Sequence, residues 1–320
     1  MALLTPVPLD AIHAARARLR GIARHTPLLP LPRATGASRV LLKLENLQLI
    51  GSFKLRGAAN AMAIAGPNAL ADGVYTASAG NMAQGVAWCA RELGIRCQVI
   101  VPESAPESKI AAIGRLGGQV IKVPFDRWWQ AMLDHGAPGF NGLFIHPFAD
   151  SGVMAGNGTI GLELLDDAPE LDAVLVPWGG GGLACGIASA IRQTQPGVRI
   201  YAVEVDGAAP LSAAFANRGP VPITPVRTFI DGIGGRGVTA EIWPLAQELI
   251  TDVIRVTVEQ VGAAVKMLAV EMRVVAEGAG AAPVAAALLG VPGAATVACV
   301  VSGGNIDADK LATILRGEIP

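Results

Sequence analysis

Short β-branched runs alternate with helix-length segments along most of this chain, and that alternation limits its possible folds more than any other feature. "GVYTAS" gives way to "NMAQGVAWCARELG", "CQVIVPE" to "SKIAAIGRLG", "GQVIKVP" to "DRWWQAMLDHG", and "GLFIHPF" to "GNGTIGLELL". The rhythm continues with "AVLVPW" before "LACGIASAIRQ" and "RIYAVEV" before "PLSAAFANRG". Strand-sized runs followed by helix-sized ones predict an α/β fold, with mainly parallel sheet flanked by helices. At the front, Asp10 is expected to cap a helix over "AIHAARARLR" that Gly21 ends. No internal repeat, coiled coil or obvious linker breaks the pattern, so two lobes would be intertwined rather than beaded.

The 320 residues suffice for two ordinary domains or one large one split into lobes. Hydrophobic residues make up 52% against 16% charged, so a large core is easily supplied. With 26 acidic and 25 basic residues the net charge is -1, which gives no electrostatic case for nucleic acid or an anionic membrane as partner. "MALLTPVPLD" has neither a basic start nor a long apolar run, so no secretory signal is expected. Gly278 to Ile306 carries no charge, but Pro283, Gly290 and Pro292 divide it into a helix-like piece and the strand "TVACVV", which favours buried α/β structure over a membrane span. Cys89, Cys97, Cys185 and Cys299 match no zinc or thioredoxin spacing and read as small buried residues in a reducing cytoplasm. The histidines (His13, His25, His135 and His146) also lack a metal pattern.

In such sheets, ligands bind where strand ends meet helix starts, and four such loops stand out. The first is "GSFKLRG". Lys54, one of only six lysines, sits there among small and apolar residues with no evident acidic partner. It is either an ordinary lysine early in the helix "FKLRGAANAMAIAG" or an amine kept neutral by desolvation for Schiff-base chemistry. The second is "SAGNMAQG", which follows a strand and sets Ser78, Gly80 and Asn81 at a helix start. Either one of them simply caps the helix, or the free backbone N–H groups cradle a carboxylate. The third is "PWGGGGLACG", with Gly179, Gly180, Gly181 and Gly182 between a strand and a helix. Four glycines exceed what a turn needs, and their N–H groups can wrap a phosphate. No Gly-Lys-Ser/Thr comes after it, and the run is not placed like a dinucleotide fingerprint. The fourth, "CVVSGGN", puts Ser302 after an apolar strand; alone it reads as a turn.

Lysine, phosphate cup, asparagine and serine together are what pyridoxal 5′-phosphate requires. The chain resembles, essentially end to end, the serine/threonine dehydratase family of fold-type II pyridoxal-phosphate enzymes, which also includes serine racemases. The resemblance rests on Ser52-Phe53-Lys54, Ser78-Ala79-Gly80-Asn81, the run Gly179 to Gly182, Glu277, and Ser302-Gly303-Gly304-Asn305. It implies a tryptophan synthase β-like architecture of two lobes, with residues 1–71 and 151–320 as the large domain and 72–150 as the small one. It also implies that Lys54 carries the cofactor and acts as base at the substrate Cα. Phe53 would pack on the ring, Asn81 would bond its 3′ oxygen, Gly179 to Gly182 would hold the phosphate, and Ser302 would face the pyridine nitrogen, with Glu277 near the ring. Ser78, Ala79, Gly80 and Asn81 would grip the substrate carboxylate, Ser78 serving in catalysis as well. A serine, unlike a carboxylate, does not keep the pyridine nitrogen protonated, which suits elimination better than transamination.

The activity that this resemblance implies is that of a cytoplasmic ammonia-lyase, removing water from a β-hydroxy-α-amino acid such as L-threonine, L-serine or phenylserine. It also implies a homo-oligomer, dimer or tetramer, as in the family. Departures from the family pattern bear on this. Met82 stands where a histidine is common, and Ala79 where racemases carry a second serine, which disfavours racemisation. Glu204 keeps one half of a family cation site while Pro210 replaces the other, so no metal is expected unless Asp206 substitutes. The chain stops before a regulatory domain could be added, so feedback by isoleucine is not expected. Adjacent Trp128 and Trp129 cannot share one direction on a helix. Either one packs in the core and the other at a subunit or lobe boundary, or one of them lines a pocket widened for a β-aryl substrate; Trp178 poses the same choice, and Arg236 is either a substrate contact or structural. The alternatives are a racemase, a β-replacement or threonine-synthase-like enzyme, a non-catalytic amino-acid-binding homologue and, from another class, a nucleotide-dependent oxidoreductase.

Overall fold

The computed structural model describes residues 3–32 and 39–320. It opens with α1 (Leu9–Arg18), β1 (Leu28–Pro30), β2 (Arg39–Lys43), a 3-10 turn at Glu45–Leu47 and α2 (Lys54–Ala69). Strand and helix then alternate through β3 (Val74–Ala77), α3 (Asn81–Glu92), β4 (Cys97–Pro102), α4 (Glu107–Arg115), β5 (Gln119–Val123), α5 (Phe125–Leu133) and β6 (Leu143–Phe144). Next come α6 (Ser151–Asp167), β7 (Ala173–Pro177), α7 (Gly182–Thr194), β8 (Arg199–Val205), α8 (Pro210–Ala216) and α9 (Trp243–Leu249). The chain finishes with β9 (Asp252–Val256), α10 (Val258–Met267), a π-helical turn at Leu268–Met272, α11 (Gly278–Leu288), β10 (Thr296–Val300) and α12 (Ala308–Leu315).

Two sheets result. The larger has the order β1-β2-β10-β7-β8-β9 and the smaller β5-β4-β3-β6. Every pairing is parallel except β1 with β2. The central strands β7 and β10 are buried at every residue. "AVLVP" and "TVACV" are therefore continuous apolar runs rather than alternating ones, as strands covered on both faces must be. Close helix packing on the larger sheet depends on glycine: a Cβ at Gly158 would lie 2.8 Å from the Gly186 carbonyl oxygen, so α6 and α7 approach almost backbone to backbone.

Three local expectations need adjustment. Asp10 is not the cap of α1: Pro8 occupies that position, and Asp10 instead accepts the Ala11 N–H at 2.8 Å within the first turn. The helix after Lys54 breaks at Gly66 (φ 73°), and Pro67 begins a further turn. The strand read in "GLFIHPF" is short, Leu143–Phe144 with the Ile145 N–H still donating to the Tyr75 carbonyl at 2.8 Å, because the chain turns sharply from His146. Among the described residues, no helix is long and apolar enough to cross a membrane. The uncharged stretch after Glu277 is the buried α11 and β10.

The topology gathers the four loops. β3 runs into Ser78–Asn81, β7 into Gly179–Gly182 and β10 into Ser302–Asn305, each at a carboxyl end of a parallel strand. The loop after β2 leads to Lys54, the first residue of α2.

Candidate active site

Lys54 is held by the loop after β10. Ser52 pairs with Gly303 as an isolated bridge, the Phe53 N–H donates to the Ser302 carbonyl at 3.0 Å, and the Gly304 N–H donates to the Gly51 carbonyl at 2.9 Å. Ser52 Oγ accepts the Lys54 N–H at 3.3 Å. The amine itself donates to the Pro147 carbonyl at 2.5 Å and lies 5.2 Å from the centre of the Phe53 ring. Burial pulls its pKa down to about 8, against a smaller opposing pull from the charge of Glu277.

Beside it, no side chain among the described residues caps the N-terminus of α3, whose N-cap residue is Gly80. Ser78 Oγ accepts the Gly80 N–H at 3.2 Å, and a Cβ built on Gly80 would meet nothing, so the backbone there is open to an incoming group. Asn81 does not cap the helix. Its Nδ2 donates to Glu277 Oε1 at 2.7 Å, and its Oδ1 accepts from Asn305 Nδ2 at 2.7 Å. Burial raises the Glu277 pKa to about 7, with the Asn81 hydrogen bond pulling the other way.

The glycine run is closed by a neighbour that the sequence did not mark. A Cβ at Gly180 would collide with the Phe148 ring, and one at Gly182 with the Phe148 backbone. Gly181 takes a left-handed conformation (φ 90°) as the N-cap of α7, which favours glycine. The free first-turn N–H groups of this 13-residue helix make an anion cradle.

One cavity of about 390 Å³ is lined by Phe53, Lys54, residues 78–81, residues 179–182, Glu277 and Ser302, so the structure brings together every site residue named from the sequence. It also reaches residues that sequence reasoning missed: Phe148, and the ion pair of Lys109 with Asp231 at 2.9 Å. The only signal for Phe148 was a His-Pro-Phe closing a strand-like run. Lys109 and Asp231 meet only in the fold, and nothing local announced them.

Sequence reasoning puts only one of Trp128 and Trp129 at a pocket, yet both line this cavity: their large rings, with centres 6.3 Å apart, each reach it from adjacent positions on α5. Phe125 and Met132 extend the same wall. Trp178 is different: it is fully buried in the core, with its ring against Gly181, and does not border the cavity. Arg236 stands over the Phe125 ring at 4.2 Å, and 3.7 Å from Asp126, outside the lining. Glu204 is buried and accepts three hydrogen bonds, from Leu211 N, Ser212 N and Ser212 Oγ, while Asp206 pairs with Arg255.

Comparison with known proteins agrees with this geometry. Residues 19–303 match the family model described as "Pyridoxal-phosphate dependent enzyme". The L-threonine ammonia-lyase of Geobacter sulfurreducens is 40% identical over 323 residues, covering 97% of this chain and 78% of that protein. Among solved structures, maize serine racemase superposes with a TM-score of 0.88 at 30% identity, over 98% of each chain. The processed threonine deaminase isoform 2 of Solanum lycopersicum gives 0.85 at 30% identity, over 99% of this chain and 93% of that one.

Proposed function

The chain belongs to the pyridoxal-phosphate dependent enzyme family, and we propose that within it this protein is an ammonia-lyase. It removes water from a β-hydroxy-α-amino acid and yields a 2-oxo acid and ammonia. The observation that carries the proposal is the setting of Lys54: a half-buried amine whose desolvation lowers its pKa to about 8, in one cavity with an open backbone loop and a glycine cradle.

The residues present fit pyridoxal 5′-phosphate. The anion cradle at Gly179–Gly182 suits its phosphate, and Asn81, Glu277 and Ser302 supply polar groups for its ring. When bound, the cofactor supplies an electron sink for the pair left at Cα. Lys54 Nζ takes the Cα proton, for which an amine near neutrality is needed. Ser78 and the open N–H groups around Gly80 hold the substrate carboxylate and so orient the Cα–H bond toward Lys54. Phe53 packs against the ring side of the lysine. The proton and the β-hydroxyl leave as water, and the released enamine hydrolyses to oxo acid and ammonia.

Ala79 supports elimination over racemisation, because no hydroxyl stands at that position to serve the opposite face of Cα. A second observation bears on the substrate. The α5 wall of Phe125, Trp128, Trp129 and Met132 favours an apolar β-substituent, so L-threo-3-phenylserine belongs with L-threonine and L-serine among the candidates. We also propose residues 72–150 as the small domain, since β3 to β6 all fall within them. The rest of the chain forms the large domain. A homo-oligomer is supported by one surface groove bordered by the exposed Leu29, Leu47 and Val275. A cytoplasmic site is supported by four buried, unpaired cysteines.

The three amino acids, each incubated with cofactor-loaded protein, test the proposal. Oxo acid and ammonia released in equal amounts support it. Recovery of the D-isomer alone, or no oxo acid from any of the three, would contradict it.

A further inference from the structure

His135, His146 and Glu241 bring their ligand-type atoms within 4.8 Å of one another, in a part of the chain where the sequence shows no motif. His146 comes after β6 and is buried. His135 comes after α5 with a left-handed backbone (φ 53°), and Glu241, also buried, precedes α9. The set resembles a metal site, but its hydrogen bonds leave no room for one. His146 Nδ1 accepts two backbone N–H groups, from Phe148 at 3.2 Å and Ala149 at 2.7 Å. Backbone N–H can only donate, so Nδ1 carries the lone pair and Nε2 the hydrogen, which is donated to the Met132 carbonyl at 3.1 Å. A neutral imidazole has one donor and one acceptor, and both are spent. His135 Nε2 is itself 3.1 Å from each oxygen of Glu241.

What His146 does hold is the turn from itself to Ala149, and that turn supplies two parts of the active site. Its Pro147 carbonyl receives the Lys54 amine at 2.5 Å. Its Phe148 ring closes on Gly180, and its Phe148 backbone lies against Gly182. The His146 ring meets the Phe148 ring edge-on at 4.6 Å and stacks on His135 at 4.3 Å. The His135–Glu241 pair ties this stack to the segment leading into α9.

We propose that His146 is a positioning residue for the reaction: by accepting both N–H groups of the turn, it fixes the Pro147 carbonyl against Lys54 and Phe148 against the glycine run. His135, anchored by Glu241, backs it. The inference rests on the reading of Lys54 as the cofactor-bearing lysine. Burial, then the neighbouring His135, pulls the His146 pKa down to about 3, so the Nδ1 lone pair persists over any working pH.

Two substitutions separate positioning from packing. His146→Leu strands both N–H groups, whereas His146→Asn places an Oδ1 where Nδ1 was and can still accept them. In H146L, pyridoxal 5′-phosphate should bind cofactor-free protein about 10-fold more weakly. The turnover number should fall about 10- to 100-fold, with KM changed by less than about two-fold. H146N should return affinity and turnover to within about three-fold of wild type, and it decides the matter even where H146L does not fold. H146L that loses only thermal stability while binding the cofactor normally, or H146N that folds yet loses about 10-fold or more in cofactor affinity and turnover, would overturn the inference. A wild-type protein that takes up no pyridoxal phosphate would sink the reading of the site, and this inference with it.

Discussion

Lys54 and Pro147 stand 93 residues apart in sequence, yet the lysine amine donates to the proline carbonyl at 2.5 Å. A carbonyl is a neutral acceptor, so it orients the amine without the full charge that would hold it protonated. Burial then lowers the pKa to about 8. The rate at which cofactor-free protein captures pyridoxal 5′-phosphate should therefore climb with pH and level off above about 8. The charge of Glu277 opposes the shift, so Glu277→Gln should move that midpoint lower. Stopped-flow absorbance across pH 6 to 10 reads both effects, and a midpoint near the ordinary lysine value would contradict them.

Gly180 has the Phe148 ring where a side chain would begin. Gly180→Ala forces either the ring or the loop to move, an overpacking worth about 1–3 kcal/mol. Weaker cofactor binding should accompany the loss of stability. Phe148→Leu in the same protein should recover part of both, measured by thermal unfolding and by cofactor titration. No recovery would mean that the cradle is damaged for another reason.

Trp128 and Trp129 face the same cavity from adjacent positions on α5. Replacing either by alanine should lower kcat/KM for L-threo-3-phenylserine by about 10-fold or more, the range for lost apolar contact with a substrate. The value for L-serine, which has no apolar β-substituent to bury, should stay within about two-fold. Equal losses on both substrates would show that the wall serves packing instead.

Arg56, two residues after Lys54, is buried between Glu45 and Glu163, with Lys43 2.7 Å from Glu163 on the other side. Arg56→Met leaves the buried Glu45 without a cationic partner, while Glu163 keeps Lys43, and should cost about 3–5 kcal/mol in denaturant unfolding. The pairing with Arg56 holds Glu163 below the usual carboxylate range, against the cost of burial. Stability from that group is thus present above the ordinary glutamate pKa and is lost as pH falls through the lowered one. A cost below about 1 kcal/mol would class the network with exposed surface pairs.

The sequence made the strand-end loops readable because their chemistry is local. A glycine run after "AVLVPW", or Ser-Ala-Gly-Asn after "GVYTA", carries its meaning in consecutive residues, and both border the one cavity. The turn at His146 was hidden because "GLFIHPF" has strand composition; only its hydrogen bonds reveal that it bends under Lys54. Trp178 and Trp128 could not be told apart from sequence, since neighbouring residues do not aim a ring. The fold puts the first beneath Gly181 and the second on the cavity wall. Glu204 was readable as half of a cation site. Its three donors lie seven and eight residues further on, where the start of α8 folds back onto it.

Borohydride reduction of the loaded protein, followed by peptide mass mapping, shows whether Lys54 is the amine that carries the cofactor. Reduction fixes the cofactor to whichever amine holds it. The phosphopyridoxyl group should be found on the peptide containing Lys54, and Lys54→Ala should show no stoichiometric label. A label on Lys43 or Lys109, or none on the wild-type protein, would contradict the assignment.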